Sequence, residues 1–208
     1  MNIVIYGGAF NPPTIAHTKI ISFLWNSLGI FVRRPLDNYK ILIMPCYQHN
    51  FNKEMASWQH RYEMCNIMLQ QLKYVVLSPN HDIVVSDFEM RNKLSGKTYD
   101  MVVAYKELNK KDNIFLAIGQ DNADNFEKWY ESEKLRSMIN FIVIPRAKAK
   151  IKDAWYLYPP HIIFKDVEIP AISSTLARQL LKEGKDTKEV LLPAIYDYIK
   201  KEKLYDLV

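Results

Sequence analysis

A glycine pair and a histidine near the start of the chain form the segment best suited to chemistry. The apolar run from Asn2 to Tyr6 ends at Gly7-Gly8, and His17 follows at the start of a stretch with helical apolar spacing. The run predicts a buried strand that leads into a tight turn. Glycine lets a phosphate approach the backbone, and the first amides of a helix together with an imidazole donor favour an anion. The segment therefore predicts a phosphate-binding site.

A second group of candidate residues lies near the other end of the chain. Ser173 and Thr175 stand at the start of a predicted helix, and Arg178 lies one turn further along. Hydroxyls and free amides at a helix start suit phosphate oxygens, and arginine adds a bidentate cation. Ser173 is equally compatible with a simple helix cap, and Arg178 with an ordinary surface position.

The elements that must position these residues alternate between strands and helices. The apolar patterns predict strands at residues 2–6, 39–44, 83–85, 114–118 and 141–144, with one more between residues 161 and 169. They predict helices at residues 15–28, 57–72 (capped by Ser57), 98–108, 174–182 and 193–201. This alternation predicts a Rossmann-like, doubly wound α/β fold with a mostly parallel sheet, helices on both faces and a small helical C-terminal part. We expect one domain over residues 1–208, with that C-terminal part at about 171–208.

The expected binding edge of such a sheet lies beyond the carboxyl ends of its strands, where the strand order reverses. Gly7, Gly8 and Gly119 all stand at predicted strand ends, and Asp121 follows directly. Each glycine alone would be an ordinary turn residue. Together with His17 they predict a ligand site at this edge.

Composition and charge exclude several classes of protein. The 208 residues are 49% hydrophobic and 25% charged, which is not typical of disordered, collagen-like or coiled-coil chains. No apolar run approaches the roughly 18 residues of a membrane span, and the start lacks a secretory pattern. We expect a cytoplasmic protein, with the nucleus as the alternative, and no membrane partner. The net charge of +5 suits phosphate ligands but more often reflects an ordinary surface, and no concentrated basic patch predicts a nucleic-acid partner.

The motifs of the best-known metal, redox and nucleotide sites are missing. Cys46 and Cys65 are too few for a four-ligand zinc site, and we expect both to be reduced thiols. Neither a GxxxxGKS or GxxxxGKT loop nor a GxGxxG turn after a strand occurs, which argues against kinase-type and dehydrogenase-type sites.

Several segments resemble one enzyme family. GGAFNPPTIAH (residues 7–17) resembles the GxFxPxHxxH signature of nucleotidyltransferases in its TxxH variant, and ISSTLAR (172–178) resembles their second signature, SxTxxR. Four further segments resemble nicotinate mononucleotide adenylyltransferase, particularly the bacterial type: HRYEM (60–64), SDFEM (86–90), IGQDNADNFEKW (118–129) and the closing LLPAIYDYIKKEKLY. The matches run in order over nearly the whole chain.

The resemblance implies an adenylyl transfer in NAD biosynthesis. ATP would react with nicotinate mononucleotide to give nicotinate adenine dinucleotide and pyrophosphate, without a protein nucleophile and with Mg²⁺ held mainly by substrate phosphates. The implied catalytic residues are His17 and Arg178. The implied ATP-binding residues are Gly8, Ala9, Phe10, Thr14, His17, Gly119, Asp121, Ser173, Thr175 and Arg178. The implied mononucleotide-binding residues are Gly7, Asn11, His49, Lys53, Thr98, Trp129, Tyr130 and Arg146. No protein metal ligand is implied.

The sequence departs from the family pattern at a few positions. Thr14 and Asn11 stand where bacterial members commonly have histidine and aspartate. The family's SYT segment at the nicotinate ring reads Gly96-Lys97-Thr98, which leaves the role of Lys97 open. His49 and Lys53 are alternative partners for the mononucleotide phosphate. The match around Trp129 and Thr98 implies stacking of the pyridine ring and a preference for nicotinate over nicotinamide, since main-chain amides suit a carboxylate.

Two other functions compete with this interpretation. A pantetheine-phosphate adenylyltransferase would share the first signature but not Trp129 and the closing segment. A non-catalytic nucleotide-binding domain would share the fold, although the presence of both His17 and Arg178 argues against a decayed site.

Overall fold

Six parallel strands form the centre of the computed structural model, which describes residues 1–27, 39–48, 55–73, 82–145, 154–164, 167 and 169–206. The strands are β1 (Asn2–Gly8), β2 (Tyr39–Pro45), β3 (Asp82–Val85), β4 (Asn113–Gly119), β5 (Asn140–Ile144) and β6 (Ile162–Ile163). The α-helices are α1 (Ile15–Ser27), α2 (Trp58–Lys73), α3 (Phe88–Arg91), α4 (Thr98–Leu108), α5 (Gln120–Ala123), α6 (Ser132–Met138), α7 (Ser174–Lys182) and α8 (Pro193–Lys201). Two 3₁₀ turns lie at Phe126–Lys128 and Trp155–Leu157.

The strand order of the sheet is β3-β2-β1-β4-β5-β6. β1 is central and pairs in parallel with β2 on one side and β4 on the other. The chain runs outward from β1 to β3 and then returns to β4, so the order reverses between β1 and β4. Crossovers on either side of such a reversal diverge and leave a crevice at the carboxyl ends of the two strands.

Alternate residues of each strand point to opposite faces, which gives two separate cores. On one face Val4 and Ile41 pack with α1, α2, α7 and α8. On the other face Ile3 and Leu116 pack with α4, α6 and the two 3₁₀ turns. Because both faces are covered, the strands read as continuous apolar runs. The C-terminal helices α7 and α8 are part of the first core; the single domain over residues 1–208 stays a prediction.

The predicted fold class is confirmed. Helices at 98–108, 174–182 and 193–201 begin and end where the sequence predicts, and the Ser57 hydroxyl accepts a hydrogen bond from the His60 amide at the start of α2 (3.4 Å). The strand predicted between residues 161 and 169 is present, and its described part, Ile162–Ile163, pairs in parallel with β5. This segment is at the sheet edge, where the ladder has a single neighbour. Cys46 and Cys65 are free thiols.

No helix within the described residues is both long and apolar enough to span a membrane.

Candidate active site

A cleft of about 790 Å³ opens at the carboxyl ends of β1 and β4, where the strand order reverses. Its volume falls within the ~300–1,000 Å³ typical of small-molecule sites. The sequence-predicted residues that line it are Gly7, Gly8, Ala9, His17, Thr98, Gly119, Asp121, Trp129, Tyr130 and Ser173. The structure thus brings together side chains more than 150 positions apart in the sequence.

His17 is fixed by Thr14 at the first turn of α1. The Thr14 backbone N–H donates to His17 Nδ1 at 2.9 Å, and the Thr14 hydroxyl lies 2.8 Å from the same nitrogen. Because Nδ1 accepts the amide hydrogen, the ring proton lies on Nε2, which is then the donor for an anion. The ring of Phe10 packs against the imidazole at a centroid distance of 5.1 Å. Thr14 is fully buried, so its hydroxyl serves the imidazole.

Two glycines of the cleft lie where a side chain would have little room. A Cβ atom at Gly8 would lie 3.3 Å from the ring of Phe10, which is buried and has a left-handed φ of 46°. A Cβ atom at Gly119 would lie only 2.6 Å from Oδ1 of Asp121. Gly119 therefore allows the Asp121 carboxylate to fold back over the end of β4.

Arg178 and Asn11 tie the first signature to the C-terminal part. The Arg178 guanidinium donates to the Asn11 carbonyl at 2.7 Å and lies 3.4 Å from the Thr175 hydroxyl. The Asn11 side-chain oxygen accepts from the Ala56 amide at 3.0 Å and from the Tyr205 hydroxyl at 2.8 Å. The Asn11 side chain is buried in these internal contacts. Arginine has five N–H donors, so its fork keeps donors for an anion after these two contacts.

Ser173 caps the N-terminus of α7, which is one of the two roles that the sequence allowed for it. The Ser173 hydroxyl accepts from the Leu176 amide at 3.1 Å, and the Ser174 hydroxyl donates to the Pro12 carbonyl at 2.8 Å. Both serines also line the cleft. Capping and phosphate contact use different lone pairs of a hydroxyl, so contact of Ser173 with ATP stays a prediction.

The far end of the cleft is aromatic and more exposed. Trp129 packs against Phe126 at a centroid distance of 5.4 Å, and Tyr130 is 50% exposed. The Lys97 ammonium lies 4.1 Å from the centre of the Tyr130 ring, and Thr98 begins α4 beside it. An aromatic wall with a nearby cation suits an anionic aromatic ligand.

Within the part of the chain that the structure describes, five of the predicted site residues do not line the cleft: Phe10, Asn11, Thr14, Thr175 and Arg178. The first three support the loop behind the cleft, and Arg178 joins that loop to α7. Three more, His49, Lys53 and Arg146, lie outside the described residues. The assignments of these eight residues, and of the ten that line the cleft, to ATP or the mononucleotide stay predictions.

Two buried ionisable side chains beside the cleft, Arg61 and Glu89, were not among the site residues predicted from the sequence. Arg61 is only 1% exposed and donates to the carbonyls of Ala9 and Cys46, both at 2.8 Å. Glu89 lines the cleft and accepts from the Tyr47 amide at 3.0 Å. Burial raises the pKa of Glu89 to about 7, although the Tyr47 hydrogen bond and the Arg61 charge lower it. The position of an arginine on the apolar face of α2 was the sequence feature that could have revealed the buried contacts of Arg61.

No group of three His, Cys, Asp or Glu side chains that could hold a metal ion occurs in the part of the chain that the structure describes.

Comparison with known proteins gives a consistent result. The model of the cytidylyltransferase-like family matches residues 5–180. A probable nicotinate-nucleotide adenylyltransferase of Streptococcus pneumoniae serotype 4 is 30% identical over 203 residues, which cover 97% of this chain and 87% of that protein.

Solved structures agree with the sequence relatives. The nicotinic acid mononucleotide adenylyltransferase of Plasmodium falciparum in complex with NaAD has a TM-score of 0.76 and 28% identity, and covers 100% of this chain and 98% of its own. The same enzyme in complex with APC, an ATP analogue, has a TM-score of 0.74 and 27% identity, with the same coverage. The chain therefore belongs to the cytidylyltransferase-like family and, within it, to the nicotinate-nucleotide adenylyltransferases.

Proposed function

We propose that this chain transfers the adenylyl group of ATP to nicotinate mononucleotide, forming nicotinate adenine dinucleotide and pyrophosphate. The observation that carries the proposal is the common cleft, in which the His17 donor at the β1 turn and the Trp129 aromatic wall face one cavity. An enzyme that joins two nucleotides needs an anion site and a ring site in continuity. The family membership and the relatives that bind NaAD and APC support the same function.

The chemistry needs positioning more than reactive side chains. An oxygen of the mononucleotide phosphate attacks the α-phosphorus of ATP, one P–O bond forms, and the bond to the β-phosphate breaks as pyrophosphate leaves. The attacking oxygen is already ionised at neutral pH, so no general base is required. Holding the two phosphates in line and stabilising the negative charge account for catalysis.

His17 and Arg178 are the residues that would stabilise this charge. The Thr14 contacts hold the imidazole with its proton on Nε2, which would donate to a phosphate oxygen without any rotation during the reaction. The guanidinium of Arg178 is held at the Asn11 carbonyl and would bind the leaving polyphosphate in a bidentate manner. The amides around Gly8 and the start of α7 add neutral donors.

The ring end would select the base of the mononucleotide. The pyridine ring would stack on Trp129, and main-chain amides near Thr98 and Tyr130 would donate to the carboxylate of nicotinate. A carboxamide would present an NH₂ donor to one of these amides. Hydrogen bonds to charged groups contribute about 1.5–3 kcal/mol, so one such contact gives roughly a 10- to 100-fold preference for nicotinate.

The donor set of the cleft fits Mg²⁺ held mainly by substrate oxygens and water. Asp121 is the acidic side chain at the end of β4, and the described residues offer no three-ligand group. Neutralisation of polyphosphate charge is the chemistry that Mg²⁺ supplies when bound. The cytoplasmic location expected from the sequence is part of the same proposal, and imaging of a tagged chain tests it.

A product assay tests the function. The purified chain is incubated with ATP, Mg²⁺ and nicotinate mononucleotide, and we expect pyrophosphate and the dinucleotide in equal amounts. A parallel reaction with phosphopantetheine tests the pantetheine-phosphate alternative. Absence of dinucleotide from a folded protein would contradict the proposal, and absence of product in both reactions would favour a non-catalytic domain.

A further inference from the structure

Glu89 is a buried acid in the cleft wall that takes no part in the mechanism above. It lies on the short helix α3 and is 6% exposed. Its Oε2 atom accepts the backbone N–H of Tyr47 at 3.0 Å. Tyr47 belongs to the segment that follows β2, so Glu89 holds the chain where it leaves the sheet.

Arg61 holds the same segment from the other side. Its Nη2 atom donates to the Cys46 carbonyl at 2.8 Å and lies 3.4 Å from the Tyr47 carbonyl. Its Nη1 atom donates to the Ala9 carbonyl at 2.8 Å. The carbonyls of the Cys46-Tyr47 pair are thus held by a cation on α2, and the Tyr47 amide is held by an anion on α3.

Cys46, the first residue of this pair, forms part of the cleft itself. The Cys46 amide donates to the Gly8 carbonyl at 2.9 Å, and Cys46 and Gln48 line the cavity next to the glycine turn. The position of this pair therefore sets the width of the cleft at the phosphate turn.

An ionised carboxylate at position 89 costs folding free energy, because the side chain is buried. Burial raises its pKa to about 7, with the Arg61 charge from α2 and the Tyr47 amide acting against burial. The neighbouring Cys46 thiol stays protonated because its own pKa is raised to about 11. On its own helix, Arg91 is paired with Asp87 at 2.8 Å and is largely exposed. A neutral glutamine would accept the Tyr47 hydrogen without the penalty of burying a charge.

We propose that Glu89 and Arg61 are a positioning pair that fixes the Cys46-Tyr47 wall of the cleft for the mononucleotide. The inference rests on the proposed adenylyl transfer, because its readout is the Michaelis constant for that substrate. The ionised carboxylate forms a stronger hydrogen bond to the Tyr47 amide than a neutral acceptor does. Protonation of Glu89 would therefore loosen the wall, and the glutamine variant would keep it loosened at every pH.

The test is the pH dependence of the ratio between Glu89→Gln and the unmodified chain. At pH 8 we expect the KM for nicotinate mononucleotide to rise about fivefold, the difference between a charge-assisted and a neutral hydrogen bond, while kcat stays close to normal. At pH 6, where Glu89 is protonated in the unmodified chain, the two KM values should converge. Taking the ratio at each pH removes the titration of the substrate itself. Glu107→Gln, at an exposed position on α4 outside the cleft, is the matched control.

Arg61→Lys supplies an independent test of the pair. It should also raise the KM for the mononucleotide, and the double variant should show less than the product of the two single effects, because both act on one segment. A lowered KM in Glu89→Gln, a ratio that does not change with pH, or fully multiplicative effects would overturn the inference. Failure of the unmodified chain to form dinucleotide would instead overturn the proposed function.

Discussion

The two ends of the cleft are built differently. At the phosphate end, Thr14 and Arg61 are no more than 1% exposed, and short hydrogen bonds tie His17 and Arg178 to the backbone of the first signature. At the ring end, Tyr130 is half exposed, and the Lys97 side chain is held over it by a cation–π contact. The first end is organised before substrate arrives, and the second offers adjustable side chains.

This difference indicates how the two ends divide their roles. Fixed donors aimed at developing charge stabilise the transition state and cost no reorganisation during the reaction. Exposed side chains at the other end contribute to the choice of substrate, because they contact the part that does not react. Loss of a side chain that donates directly to the phosphates should therefore lower the rate, and changes at the ring end should alter the preference between substrates.

Loss of the His17 imidazole should have the largest effect. His17→Ala is expected to lower kcat by about 10²–10³, the typical effect of removing one preorganised donor, with little change in thermal stability. His60→Ala is the control, since His60 bonds the Tyr198 hydroxyl at 3.0 Å and lies outside the cleft lining. A folded His17→Ala variant with near-normal kcat would remove His17 from the transition state.

Titration of the buried Glu89 carboxyl group should make the free energy of unfolding depend on pH. The pKa of Glu89 rises from 4.5 to about 7 on folding, so the folded state binds an extra proton between these values. Stability should then fall as pH rises from about 4.5 to 7, by on the order of 2–3 kcal/mol from this group. Glu89→Gln should lack this component in denaturant unfolding measured across that range. Equal slopes for the two chains would show that Glu89 titrates normally.

Replacement of Arg178 by lysine should impair use of ATP although the charge is kept. Lysine is a compact point charge and cannot reproduce the planar fork with which the guanidinium holds the Asn11 carbonyl and would meet two phosphate oxygens, so we expect a roughly 10-fold or greater loss of kcat/KM for ATP. Arg136→Lys, at an exposed ion pair with Glu133, is the control. Unchanged kinetics with ATP as the varied substrate would place Arg178 outside the phosphate site.

The smallest predicted effect concerns Lys97. Its ammonium would add attraction for the nicotinate carboxylate at the open end of the cleft, so Lys97→Met should reduce the ratio of kcat/KM for nicotinate over nicotinamide mononucleotide by roughly 2- to 5-fold. The reduction should fade at high salt. Lys128→Met is the comparison, because that ammonium is held by the Asn125 side chain at 2.8 Å. An unchanged ratio at low salt would assign Lys97 to packing against Tyr130 alone.

Local patterns in the sequence were enough to predict the sheet and part of the site. Continuous apolar runs mark β1, β2 and β4 because these strands are buried on both faces. Helices α3, α5 and α6 were missed, since four to seven residues are too few to show a helical period. His17 was found because its chemistry is encoded within one short segment. The contacts of Arg61 and Glu89 join segments far apart in the chain, so the arginine on the apolar face of α2 indicates a buried partner without identifying it.

The separation of the two ends is tested most directly by the substrate preference of the His17→Ala variant. The measurement is kcat/KM for nicotinate and nicotinamide mononucleotides at saturating ATP and Mg²⁺, in this variant and in the unmodified chain. Both values should fall by about the same factor of 10²–10³, so the preference for nicotinate should be unchanged. A preference that shifts together with the rate would show that the phosphate end also selects the base, and would contradict the account.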